Sequence, residues 1–288
     1  MKRFALLLLL VCVSLPAFSW GWPHRVIAYI GQERCTPATR AVLDRYLDLP
    51  LNNVSLWTDQ FRSRPWAPAD YSDAPDYTFQ ALEHAVSVDE KCRPLEHSNR
   101  PDGNGEGYGA YLRYYKVLED YRHQTDSAVV VALKMIVHLV GDLHCPGHIL
   151  YSFDKNHYDP MGGGLAGGYG IWQHKYKGKK TNLHALLDGG ERIHPEFNKN
   201  LDKFAVYLDS CFASIEKESL KGTFADYVQD AALRSKVIYT WVTPGQDVDD
   251  NFYTKPSHEQ LIAYLLAVSG YRLAHILNTL FDPEYKGL

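Results

Sequence analysis

Beyond residue 15, this chain of 288 residues is expected to hold no apolar stretch long enough to span a bilayer and no basic surface built on a run of lysine and arginine, and it has no repeat or low-complexity segment. The first absence argues against a membrane span in the body of the protein. The second means that a polyanion would have to be held by a local positive centre rather than a basic surface. Bound metal ions can be that centre. Strand signals are also scarce, amounting to a short hairpin near residues 171–176, so an all-α, mostly helical single domain is expected.

Cysteine is sparse too. Cys12 falls in the N-terminal apolar stretch, which leaves Cys35, Cys92, Cys145 and Cys211. Four cysteines allow three full pairings, among which Cys92 with Cys211 is favoured. Cys145 is expected to be buried. The N-terminus itself reads as a signal peptide over residues 1–19, with Lys2-Arg3, an apolar core over 4–15 and Ala17-Phe18-Ser19 before cleavage. The mature chain, 20–288, is then secreted or periplasmic. Loss of Lys2 and Arg3 takes the formal charge from −4 to −6.

Histidine, by contrast, is abundant, at thirteen residues. The most informative segment is His138-Leu139-Val140-Gly141-Asp142-Leu143-His144-Cys145-Pro146-Gly147-His148, which ends a strongly apolar helix expected over 127–144. His138 and Asp142 lie four residues apart and therefore share a face. A carboxylate in such surroundings costs several kcal/mol unless something positive or hydrogen-bonding meets it. A metal ion would meet both groups; a buried His–Asp pair is the plainer alternative. His184 and Asp188 repeat the spacing, and His24, Asp59 and His84 each sit beside apolar residues. Helical patterning extends over 24–34, 37–47 (with Thr36 as N-cap and Pro37 at the first position), 111–121, 201–216, 224–240 and 258–281. Two turn-rich loops, 100–107 and the glycine-rich 161–170, separate these elements; the second is either a linker or a wall over the site.

The ordered set His138-x-x-Gly141-Asp142-x-His144-x-Pro146-x-His148 with Asn182-Leu183-His184-x-x-x-Asp188 resembles the S1/P1 nucleases, zinc-dependent single-strand nucleases of the phospholipase C/P1 type. The likeness runs from Trp20 to about Phe281. It implies three zinc ions. Asp59, His84, His138 and Asp142 would hold one, and His148, His184 and Asp188 a second. Trp20, through its free α-amine and carbonyl, would join His24 and a bridging Asp142 around the third. His144 would support a ligand from outside. The implied reaction is hydrolysis of single-stranded DNA or RNA, and of 3′-nucleotides, to 5′-phosphate products by a zinc-bound hydroxide. Asp59 would orient the nucleophile and Arg62 would stabilise phosphoryl charge.

The chain departs from the family's pattern in three ways. Ala85 and Ser87 stand where an aromatic ring and an Asp would recognise a base, Gly167-Gly168-Tyr169 where Gly-Gly-Asn is expected (with Asn156 as a substitute amide), and Trp20 lies one residue closer to His24. These touch substrate recognition more than hydrolysis. The alternatives are a phospholipase C-like phosphoesterase, against which stand Asp188 in place of Glu and the His24 spacing, and a non-catalytic exported zinc-binding protein.

Overall fold

The computed structural model describes residues 21–62, 83–98, 105–151, 173–197, 200–243 and 246–287. The signal peptide, Trp20, Asn156 and the glycine-rich loop with Gly167, Gly168 and Tyr169 lie outside the described residues.

Two helices form the axis of the fold: α1 (Gly21–Glu33) and the C-terminal helix, which is numbered last below. Thr36 then caps α2 (Pro37–Tyr46), its hydroxyl accepting from Thr39 N at 3.2 Å with Pro37 opening the helix, as predicted. Short helices α3 (Leu51–Val54) and α4 (Trp57–Arg62) follow, then strand β1 (Val86–Ser87) and helix α5 (Gly107–Glu119). The predicted central helix is α6 (Asp126–Asp142), capped by Thr125 and buried from Val137 to Asp142 on every side. Each fully buried Val, Leu or Ile in it contributes roughly 1.5–3 kcal/mol.

Beyond it come β2 (Ile149–Leu150), the hairpin β3 (Gln173–Tyr176) and β4 (Lys179–Asn182), and helices α7 (Leu183–Leu187), α8 (Leu201–Phe212), α9 (Glu216–Ser219) and α10 (Phe224–Ser235). Strand β5 (Asp247–Val248) and helix α11 (Pro256–Phe281) complete the chain. Two predicted helices are shorter than expected: α8 and α10 each end in a 3₁₀ turn, Ala213–Ile215 and Lys236–Thr240. The hairpin is longer than predicted, reaching Asn182.

Helix α11 packs along α1, with α8, α2 and α6 around the pair. Gly31 and Gly270 make that closeness possible. A β-carbon on Gly270 would sit 2.6 Å from Ile30 Cβ, and one on Gly31 2.9 Å from Leu273 Cδ2. Contrary to the sequence expectation, α11 is long and apolar enough to cross a membrane. Its most apolar window, however, is 78% buried inside the protein, as befits a core helix.

The expected Cys92–Cys211 disulfide is not formed. All four described cysteines are free, with Cys92 fully buried and Cys211 exposed on α8, so the two thiols occupy separate environments.

One small feature matters for the site. Strands β1 and β2 pair in parallel, Val86 with Ile149 and Ser87 with Leu150. This clamps the segment bearing His84 to the one bearing His148.

Candidate metal centre

Helix α6 delivers His138 and Asp142 from one face, and both are essentially inaccessible to solvent. Helix α1 crosses that face and places His24 Nε2 3.1 Å from Asp142 Oδ1. The crossing depends on Gly141, whose missing β-carbon would lie 2.5 Å from His24 Nδ1. His24 and His138 stack with ring centroids 4.0 Å apart. On the other side of the carboxylate, His84 Nδ1 lies 2.9 Å and His138 Nε2 3.0 Å from Asp142 Oδ2. Asp59, on α4, completes this group with Oδ1 3.8 Å from both of those nitrogens.

A second cluster forms where the turn Pro146–His148 meets α7. His184 Nε2 is 3.1 Å from His148 Nε2 and 3.2 Å from Asp188 Oδ2, and His148 Nε2 is 3.4 Å from Asp188 Oδ1. Asn182 sets the start of α7 by accepting from Ala185 N at 2.7 Å. Cys145, buried as expected, brings its sulfur 3.8 Å from Asp188 Oδ1.

Backbone carbonyls decide which ring nitrogens face inward. His138 Nδ1–H donates to Ser55 O at 2.7 Å, and His148 Nδ1–H donates to His84 O at 2.5 Å. In the neutral ring each Nε2 is therefore left with a lone pair, the form a metal needs. His84 instead presents Nδ1. Its Nε2 is buried with no hydrogen-bond partner among the described residues.

The electrostatics show the same demand for positive charge. Burial opposes ionisation of Asp142, yet His138, His148 and His24 hold its carboxyl well below the usual range. Asp59 and Asp188 are lowered as well, against burial, by His138 and His84 in one case and His184 and His148 in the other. Burial depresses His24 and His84. It also opposes protonation of His138 and His148, but Asp142 with Asp59 raises the first and Asp142 with Asp188 pushes the second to about 9. Lone pairs and carboxylates thus converge on common points at 2.9–3.8 Å with little water available. Protons can relieve this partly; a divalent cation relieves it fully. Imidazole and carboxylate donors suit Zn²⁺, and the groups His84/His138/Asp142, His24/Asp59/His138 and Cys145/His148/Asp188 could each hold an ion.

The structure thus brings together His24, Asp59, His84, His138, Asp142, His148, His184 and Asp188. Trp20 directly precedes α1 but is outside the described residues. Arg62 closes α4, and its side chain is likewise outside them. His144 departs from expectation. It turns away from both clusters, gives Nδ1–H to Val140 O at 2.7 Å and faces Phe224, and burial with Arg272 nearby lowers it to about 3. Two groups that shape the site were missed, the carbonyls of Ser55 and His84. Backbone acceptors leave no mark in a side-chain sequence.

Comparison with known proteins agrees with this arrangement. The family pattern described as S1/P1 Nuclease matches residues 20–282. Endonuclease 2 of Arabidopsis thaliana is 26% identical over 91% of this chain and 90% of its own length. Endonuclease 4 of the same plant is 25% identical over 98% and 96%, and Nuclease S1 of Aspergillus oryzae 25% over 92% and 94%. With a match running from the residue before α1 to the end of α11 and the His/Asp clusters inside it, the chain belongs to the S1/P1 nuclease family and is a hydrolase of phosphate ester bonds.

Proposed function

We propose that the chain is exported and that its mature form, residues 20–288, is a zinc-dependent endonuclease. It acts on single-stranded DNA or RNA, and on 3′-nucleotides, to leave 5′-phosphate products. The observation that carries the zinc assignment is the division of Asp142. Its Oδ2 faces His84 and His138 while its Oδ1 faces His24, which suits a carboxylate bridging two ions. Asp59, His84, His138 and Asp142 would hold one zinc, His148, His184 and Asp188 a second, and His24, Asp142 and the α-amine and carbonyl of Trp20 a third. Cleavage after Ser19 frees that amine, because a peptide nitrogen inside the precursor is no ligand.

Bound zinc supplies Lewis acidity toward a phosphoryl oxygen and lowers the pKa of water toward neutrality. The chain's own residues do the rest. Asp59, 14% exposed at its side chain where Asp188 is 7% and Asp142 1%, is the most exposed of the three carboxylates and can orient a water and accept its proton. Arg62 follows it by three positions in α4, on the same face of the helix, and offers charge to the phosphoryl oxygens. Ser55 and His84 hold the rings of His138 and His148 in one tautomer. The apolar wall of α6 keeps bulk water from the ligands, so their charges act at low screening.

The test is metal analysis of the mature protein beside a panel of single-stranded DNA, single-stranded RNA, a 3′-nucleotide and phosphatidylcholine. About three zinc ions and cleavage of the nucleic acids and the nucleotide are expected. Absence of zinc would remove the reading; cleavage of phosphatidylcholine alone would replace it with a phospholipase. Asp142→Asn should abolish activity, and near-normal turnover would refute its bridging role. Protein retaining the leader should lack zinc at the third site only.

A further inference from the structure

Lys175, Lys177, Lys179 and Lys180 stand exposed on the β3–β4 hairpin, four lysines in six residues of an acidic chain. This cluster departs from the sequence expectation of no basic surface. We propose that this hairpin is the docking site for the phosphate backbone of a single-stranded polynucleotide whose scissile ester lies over the adjoining His148/His184/Asp188 cluster. The inference rests on the nuclease reading above and adds to it the surface that separates a polymer from a mononucleotide.

None of the four lysines makes an ion pair among the described residues. Lys175 lies directly across the antiparallel ladder from Lys180, a like-charge placement that weakens a sheet. Asp247 on β5 is in register with Lys175 on its other side, and Asp249 is engaged by Lys255 at 2.8 Å. The remaining three lysines have no carboxylate alongside them in the ladder. At the tip, Lys177 and Gly178 both have positive φ, 49° and 74°. A two-residue turn of this kind favours Asn-Gly, and a lysine there keeps a charge at the tip against the backbone's preference. Its ammonium rests 5.3 Å from the centre of the Tyr176 ring.

Position links the hairpin to chemistry. Strand β4 runs without a break into α7, and Asn182 both ends the strand and caps the helix. His184 follows two residues later. Four residues of chain keep the Lys180 and His184 α-carbons within about 14 Å of each other. Single strands are held sequence-tolerantly by a positive groove tracking the backbone, and a ridge of lysines beside the ester-binding cluster provides one. Within the strands the residues next to the lysines, His174 and Thr181, are polar, so an anionic membrane surface, which also asks for apolar insertion, is the weaker match.

The experiment compares the mature zinc-loaded enzyme with two quadruple variants, Lys175→Gln/Lys177→Gln/Lys179→Gln/Lys180→Gln and the same four positions changed to Arg. Binding of a fluorescein-labelled phosphorothioate oligothymidylate is followed by anisotropy across a salt series, alongside hydrolysis of a 3′-mononucleotide. Four contacts at about 0.7 each predict that the Gln variant's log K versus log[salt] slope is shallower by about 2–3. At low salt its affinity should fall at least about tenfold, while mononucleotide turnover stays within about twofold and the Arg variant keeps the parent slope. An unchanged slope and affinity in the Gln variant would overturn the proposal. So would loss of binding to phosphatidylserine vesicles with oligonucleotide binding intact. If the parent enzyme cleaved neither nucleotides nor polynucleotides, the nuclease reading would fail, while the salt slope would still judge the hairpin by itself.

Discussion

Replacing Gly141 by alanine sets two effects of opposite sign against each other. Gly141 is the penultimate residue of α6, where alanine gains over glycine at most about 1 kcal/mol of helix propensity. The new methyl, however, would lie 2.5 Å from His24 Nδ1 and 2.8 Å from its Cε1. Ordinary contact needs about 3.5 Å, so the ring must retreat by about 1 Å. It has little room, being 1% exposed and stacked at 4.0 Å on His138. Retreat would open the 3.1 Å contact between His24 Nε2 and Asp142 Oδ1 to about 4 Å, beyond hydrogen-bond range. Overpacking of this kind costs about 1–3 kcal/mol, which outweighs the propensity gain by about 1 kcal/mol. The melting temperature should then fall by roughly 2–4 °C. Because about 1 Å of misplacement can cost up to 100-fold in rate, activity should drop at least tenfold, with less than the full complement of zinc. Circular dichroism melts, zinc analysis and a nuclease assay on the same preparation measure all three. A variant that melts higher, keeps its zinc and cleaves normally would show that Gly141 is present for helix reasons alone and that α1 does not need the close approach.

Chelation of the metal should lower the melting temperature by roughly 10 °C for each site emptied, since a ligand present at about 1,000 times its Kd contributes about 4 kcal/mol per site, and added zinc should restore it; an unchanged melt would mean that the clusters fold without ions. Asp230 accepts from Arg272 at 2.9 Å and from Arg234 at 2.7 Å, and these bonds outweigh its burial to hold its carboxyl below the usual value. A depressed folded-state pKa means stability present above the unfolded pKa and lost as pH falls through the folded one. Asp230→Asn should therefore destabilise by about 2 kcal/mol at pH 7, with the difference closing only below about pH 4; urea titrations that showed it closing as pH rises would contradict this. Native protein should present one thiol to a disulfide reagent, exposed Cys211, and four after denaturation in the mature chain; only two after denaturation would restore the Cys92–Cys211 bridge.

Local order was legible in the sequence because its causes are local. The i, i+4 spacing of His138 with Asp142 and of His184 with Asp188 needs only a helix to bring each pair together. Thr36-Pro37 carries its own start signal, and the apolar run of α6 declares burial. The fold class follows from the same periodicities. Expectations failed where the deciding neighbour is distant in the chain. His144 sits between ligands in the motif, yet its ring faces Phe224, far along the chain. The free cysteines depend on where α8 lies relative to the 89–94 turn, and the buried face of α11 depends on α1. Lysines spaced along a hairpin become a cluster only when the strands pair.

The sequence by itself determined the donors: which histidines and aspartates exist, which share a helix face, and that their surroundings are too apolar to leave them uncompensated. The tertiary structure alone decided how they are shared. The parallel β1–β2 pair brings His84 to His148, the crossing at Gly141 brings His24 to one oxygen of Asp142, and two main-chain carbonyls choose the nitrogens that face inward. The reason is physical. A helix dictates the direction of its own side chains, but the distance between two helices is set by what packs between them, and here that is as little as one missing methyl group.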